Sequence, residues 1–205
     1  YTLESGLINF KREIELICRK ASRLLATQKK KKSVKVTEKN VESFLGPQIY
    51  IPEMVETSSE IGIANGLAWT GSGGDIMLIE GIKMRGGGNV IYTGSLGDVM
   101  KESIQASHSY VRAKADMLGI DYDDFINYDI HIHFPSGAIP KDGPSAGVTI
   151  STVIASLMAD RPIASDIALT GEVSLRGKVL QVSGVKEKIA AAHRAGIFKV
   201  ILPRD

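Results

Sequence analysis

The stretch "AGVTISTVIASLMA", residues 146 to 159, is apolar on nearly every side of a helical wheel, and this constrains the fold more than any other segment. It falls short of the roughly 20 residues that a bilayer span needs, and it carries Ser and Thr, so it reads as a core helix. Covering such a helix takes a sizeable core, which 205 residues at 43% hydrophobic can supply with room for a smaller second unit. Lys+Arg 25 against Asp+Glu 23 leaves a net charge of +2, too balanced to attract a polyanionic partner by bulk charge. Cys18 has no partner for an internal disulfide, which fits a reducing compartment. The opening "YTLESGLINFKREI" has early charges and no apolar core with a cleavage site after it, so it is not a signal peptide, and the protein reads as soluble.

Apolar residues at Leu7, Phe10, Ile14, Ile17, Ala21, Leu24 and Leu25 predict an amphipathic helix with Thr2 as N-cap. After the lysines at 29 to 32, "SVKV" reads as a short strand. "TEKNVESFLG" reads as a second helix, capped by Thr37 and stopped by Gly46. The two prolines of "PQIYIPEMVETSSE" mark a linker, placed at 47–59. Beyond it, "IGIANGLAWT", "DIMLIEGIKM" and "NVIYTG" read as strands joined at the glycine clusters "GSGG" and "RGGG", taken as hairpin turns. One long helix is expected from Gly97 to Gly119, then the alternating strand "YDIHIHF". After the core helix follow strands in "DIALTG" and "EVSLRGKVLQV", a helix in "VKEKIAAAHRAG" and a last strand in "FKVILP". Alternation of strands and helices indicates an α/β (or α+β) architecture.

Ser145 stands at the mouth of the core helix, in "PKDGPSAG". Gly143-Pro144-Ser145-Ala146-Gly147 matches the G-x-S-x-G elbow of α/β-hydrolases. A Pro/Gly-rich loop separates the serine from the preceding strand, however, and only His193 follows as a base, so the context fits that elbow poorly. Unpaired N–H groups at a helix start suit a developing oxyanion, and Asp142, Gly143 and Pro144 allow close backbone approach. A lysine can serve as base if burial or a helix N-terminus lowers its pKa. Lys186 lies in the first turn of "VKEKIAAAHRAG", and Lys188 points to another face two positions on; periodicity alone does not choose between them.

The segments "PKDGPSAG", "LTGEVSLRGKVLQVSGVKEKIAAAHRAG", "TGSLGDVMKESIQAS" and "DIHIHFPSGAIPKDG" together resemble the proteolytic domain of Lon proteases, in the same order and spacing. The resemblance implies that residues 1–46 are the C-terminal part of the small helical domain of an AAA+ module. It makes 60–205 a Ser-Lys proteolytic domain with its C-terminal end cut short at "LPRD". It implies a serine endopeptidase with Ser145 as nucleophile and Lys186, rather than Lys188 or Lys141, as base. Thr170 of "LTGE" would hydrogen-bond the lysine, Asp142 would switch the site between closed and competent forms, and the Gly143 N–H would help hold the oxyanion. Further implications are unfolded or damaged proteins as substrates, a homohexamer, and a cytoplasmic location or, as the alternative, the mitochondrial matrix. The resemblance implies no cofactor in this chain, ATP and Mg being bound by an ATPase part elsewhere. Two positions depart from the family: Gly71 stands where an acidic residue is common, and Ile8 where the sensor arginine is usual, which predicts altered ATP coupling. The alternative from another class is a non-catalytic ring-forming or binding module that keeps the fold.

Other features carry plainer readings. His131 and His133 share a strand face but have no evident third ligand, so no metal is expected. The lysines at 29 to 32 read as a solvated helix end rather than a nucleic-acid contact, since no aromatics interleave. Gly177-Lys178 is followed by Val179 and lacks the earlier glycine of G-x-x-x-x-G-K-[ST], so this chain alone should not hydrolyse ATP.

Overall fold

The computed structural model describes residues 1, 2, 4, 6–28, 32–49 and 58–204. The chain divides into two compact units, Tyr1–Pro52 and Glu53–Asp205. Most of the expected linker, 50–57, and the lysines at 29 to 31 lie outside the described residues.

In the first unit, α1 (Ile8–Thr27) contacts the one-turn helix α2 (Glu42–Leu45). The expected N-cap is corrected: Leu7 holds that position, and the Glu4 carboxylate accepts the N–H groups of Asn9 and Phe10 at 3.0 and 2.8 Å. A carboxylate reaches two orphan donors at once, where a Thr2 hydroxyl would be too far upstream. Residues 33–36 form no strand, because nothing in the described chain pairs with them. The helix expected from Thr37 is shorter, with 37–41 forming turns in which Thr37 O accepts from Asn40 N and Val41 N.

In the second unit a hairpin of β1 (Ile63–Thr70) and β2 (Gly73–Arg85) is followed by β3 (Val90–Thr93), α3 (Asp98–Ala113), α4 (Ala115–Leu118), α5 (Asp124–Asn127) and β4 (Tyr128–His133). A 3-10 turn, Pro144–Ala146, opens α6 (Gly147–Ala159). Then come β5 (Ile167–Leu169), the small hairpin β6 (Glu172–Val173) and β7 (Val179–Leu180), α7 (Val185–Arg194) and β8 (Lys199–Ile201). The main sheet runs in the order β3-β4-β2-β1-β5-β8. Its pairings make β2 antiparallel to both neighbours and leave the other five strands mutually parallel. The fold is therefore α/β, with a mixed six-stranded sheet. "GSGG" is the β1–β2 turn as expected, but "RGGG" is not a hairpin. β4 inserts between β2 and β3, so that glycine segment carries the chain past a strand not yet made. Nothing local in the sequence signals an insertion that arrives some 40 residues later. The long helix also divides at Lys114, whose N–H turns back to Val111 O, and ends at Gly119 in the left-handed region.

The two faces of the sheet are covered by different helices. Ala64, Met77, Ile79 and Leu169 point to the side of α3 and α6, while Leu67, Ile76 and Ala168 point to the side holding Ala192 and Ile197, the alternation that a strand imposes. Helix α6 lies between the sheet and α3, and nine of its thirteen residues are buried, Ile150, Val153 and Ile154 completely. Each such side chain contributes about 1.5–3 kcal/mol by leaving water. Among the described residues no helix is long and apolar enough to cross a membrane.

Candidate active site

Ser145 occupies the 3-10 turn that feeds α6, with Pro144 at its first position, where a missing N–H costs nothing. Gly143 precedes it at φ +123°, a conformation that favours glycine and turns the loop into the helix. Thr170 lies just past β5, at the C-terminal end of a parallel strand. Its backbone neighbour Gly171 donates to Ser145 O at 2.8 Å, while Gly171 O accepts from Val148 N at 2.9 Å. Two more bonds fix α6 in depth: Thr149 Oγ1 to Leu169 O at 3.0 Å and Ser107 Oγ to Gly147 O at 3.2 Å. The serine turn is thus laced to the end of β5 by main chain.

From the opposite face of the sheet, α7 delivers a lysine to the same point. Lys188 is 2% exposed, and its Nζ donates to Thr170 Oγ1 at 3.0 Å. Thr170 is fully buried, and its hydroxyl donates in turn to Ser145 O at 3.1 Å. Because one hydroxyl has one proton, donation to Ser145 leaves the Thr170 oxygen as an acceptor for the lysine. Among the described residues no carboxylate pairs with Lys188, and burial alone holds its pKa below the ordinary lysine value. A buried, uncompensated lysine is held toward its neutral form, which is what a base requires.

The structure brings Lys188 to Thr170, and not Lys186, the lysine expected there from the sequence. Lys186 is exposed, and two residues of helix turn it about 200° from Lys188. The packing of α7 separates them: Lys188 shares the stripe of Ala191 and Ala192, which is buried, whereas Lys186 belongs to the stripe of Ile189, Ala190 and His193, which is exposed. Lys141 is engaged elsewhere: its Nζ donates to the carbonyls of Ser136, Ile139 and Gly94 at 2.9, 3.0 and 3.4 Å, which ties two loops together.

Asp142 caps α3 from outside that helix. One oxygen, Oδ1, accepts from Met100 N and from Gly143 N, each at 2.9 Å. The Gly143 N–H, expected to face an oxyanion, is thus occupied by the carboxylate beside it. None of the hydrogen bonds among the described residues joins Ser145 Oγ to Lys188 Nζ. The loop is anchored by a bridge between Leu96 and Lys141, with Gly97 N donating to Lys141 O at 2.8 Å and Lys141 N to Ser95 O at 3.0 Å.

The histidines lie elsewhere. His193 is exposed, and its ring meets Phe198 edge-on at 5.7 Å. With β4 ending at His133, the chain reaches Ser145 through a loop rather than the direct strand-to-helix turn of a hydrolase elbow. His193→Ala is accordingly expected to retain most peptide cleavage, checked by initial rates on a fluorogenic peptide; a loss of orders of magnitude at unchanged thermal stability would restore the Ser-His alternative. His131 Nε2 and His133 Nδ1 both lie on Thr93 Oγ1, at 2.9 and 2.6 Å, and no cluster of three metal-ligating side chains occurs among the described residues.

Residues 35–205 match the family described as the Lon protease (S16) C-terminal proteolytic domain. The chain is 53% identical over 203 residues to a Lon protease of Syntrophomonas wolfei, covering 99% of this chain and 25% of the relative. It is 51% identical over 203 residues to a Lon protease of Aquifex aeolicus, covering 99% and 25%. Lon protease 1 of Bacillus subtilis is 46% identical over 205 residues, covering 100% and 26%. The chain spans about a quarter of the length of these curated relatives.

Proposed function

This chain belongs to the Lon protease family, and we propose that it is a serine endopeptidase in which Ser145 and Lys188 form the catalytic dyad. The observation that carries the reading is the chain of contacts Lys188 Nζ, Thr170 Oγ1, Ser145 O, in which two hydrogen bonds through the Thr170 hydroxyl link a buried lysine to the serine residue. Neutral Lys188 takes the Ser145 hydroxyl proton as Oγ attacks the peptide carbonyl. The resulting ammonium returns the proton to the leaving amine, and an acyl-enzyme remains. Lys188 then activates water in the same way, and hydrolysis of the ester restores both groups. Thr170 orients the amine throughout and keeps one of its protons engaged, which aims the lone pair. The developing oxyanion meets N–H groups at the start of α6, joined by that of Gly143 once the loop turns it away from Asp142. On this reading Asp142 holds a resting form, and substrate or assembly shifts the loop.

The full activity follows from the same family reading: ATP-dependent degradation of unfolded or damaged proteins by a homohexamer. Among the described residues, Gly177-Lys178 does not form a phosphate cradle: it sits in the turn between β6 and β7, where Gly177 N donates to Ser174 O at 2.8 Å, and strand β7 rather than a helix follows directly. ATP and magnesium belong to another part of the polypeptide.

The pH-rate profile tests the dyad. Only neutral Lys188 acts as base, so kcat should rise with pH, with a midpoint below the reference lysine value because burial disfavours the charged form. Fluorogenic-peptide rates from pH 5 to 10 would check this, with labelling of Ser145 by a serine-directed phosphonate following the same curve. A profile controlled near the reference histidine pKa of about 6.5, and abolished with a histidine, contradicts the reading.

A further inference from the structure

The start of β2 packs against α7 at the level of the buried lysine, and the contact is main chain on main chain. A Cβ placed on Gly74 would stand 1.9 Å from Glu187 O, 2.3 Å from Glu187 C and 2.8 Å from Lys188 N. Backbone cannot rotate aside as a side chain can. Relieving the nearest approach from 1.9 Å to the 3.0 Å that real Cβ atoms respect requires 1.1 Å of movement, at the turn that carries Lys188. The same residue ties the far end of the helix, because Arg194 donates from Nη2 to Gly74 O at 2.7 Å. At the near end, Gly184 meets the Trp69 ring so closely that a Cβ there would lie 2.5 Å from Cγ. The other glycines of "GSGG" differ: Gly71 and Gly73 have open space around them.

We infer that Gly74 is a positioning residue, whose missing side chain lets α7 approach β2 closely enough to seat Lys188 in its dry contact with Thr170. The inference rests on the Ser145–Lys188 reading above. It concerns what sets the depth of the lysine: the 3.0 Å bond to Thr170 and the exclusion of water both depend on helix height over the sheet. A retreat of about an ångström would admit water to the amine, and restored hydration raises the lysine pKa toward its ordinary value.

The test uses the complete polypeptide and compares Gly74→Ala with Gly71→Ala, Arg194→Ala and Lys188→Gln. Gly74→Ala should lower kcat on a fluorogenic peptide about 100-fold, the scale of a 1 Å misplacement, with KM unchanged and the pH midpoint moved upward. Gly71→Ala should match the wild type. Wild-type kcat in Gly74→Ala, or a fall in kcat with an unmoved pH midpoint, overturns the inference. If Gly74→Ala does not fold, Arg194→Ala decides: loosening the outer tie should raise the midpoint at constant KM, and an unmoved midpoint overturns it. Lys188→Gln separates the two levels. An active Lys188→Gln refutes the dyad and the inference with it, whereas an inactive one beside an unaffected Gly74→Ala refutes the inference alone.

Discussion

Lys188→Gln is expected to lower peptide cleavage by roughly 10³-fold or more, near the upper range for losing a positioned general base, while Lys186→Gln leaves the rate close to wild type. A carboxamide can still donate to Thr170 but cannot accept the serine proton, so the variant separates hydrogen bonding from base catalysis. The paired measurement is kcat for both variants at the pH optimum; comparable rates would remove Lys188 from the chemistry. Stability should move the other way in Lys188→Met. The folded pKa of Lys188 lies below its unfolded value, so the unfolded chain binds the proton more readily. The destabilisation is fully present below the folded pKa and disappears as pH rises through the unfolded one. An apolar side chain of similar length escapes it at neutral pH. Each pK unit of depression corresponds to about 1.4 kcal/mol, and each kcal/mol to about 2–4 °C in Tm for a domain of this size. Lys188→Met should therefore melt higher than the wild type near pH 7, and the difference should shrink as pH approaches the lysine range.

How much of this could be read from the sequence depended on whether the deciding contact was local. Helix α6 was legible because a segment apolar on all sides has few places to go. The β1–β2 hairpin and β4 were legible from alternation bounded by glycine. The passage through "RGGG" was not, since the strand separating β2 from β3 is supplied by residues 128–133. Ser145 could be singled out from its turn, and the structure sets it at the start of α6 beside Thr170. The choice between the two lysines was not legible, because each shares its stripe with apolar residues, Ile189 and Ala190 beside Lys186 and Ala191 and Ala192 beside Lys188, and only the packing of α7 shows which stripe is buried. Gly74 was invisible as a contact, because nothing in "GSGG" tells which glycine another helix will press upon. The engagement of the Gly143 N–H by Asp142 likewise depends on where α3 begins, 44 residues upstream at Asp98.

Ser145→Ala should abolish cleavage, by roughly 10⁴-fold or more, with the fold intact. The argument lies in which atoms of Ser145 the structure uses. Its carbonyl accepts from Gly171 N and Thr170 Oγ1, and those two bonds lace the helix start to β5. Alanine keeps that carbonyl, so the main-chain lattice survives. None of the hydrogen bonds among the described residues uses the hydroxyl, so its removal leaves no buried partner stranded. Alanine is also at least as good a helix former as serine. The variant should thus show an unchanged Tm, an unchanged depression of the Lys188 pKa, and no phosphonate adduct. The Lys188 titration is the informative control: if it persists while cleavage disappears, the loss belongs to the nucleophile and not to a displaced base. Substantial residual cleavage that still requires Lys188 would instead place the nucleophile on another group or on water, and the serine would be reduced to its carbonyl.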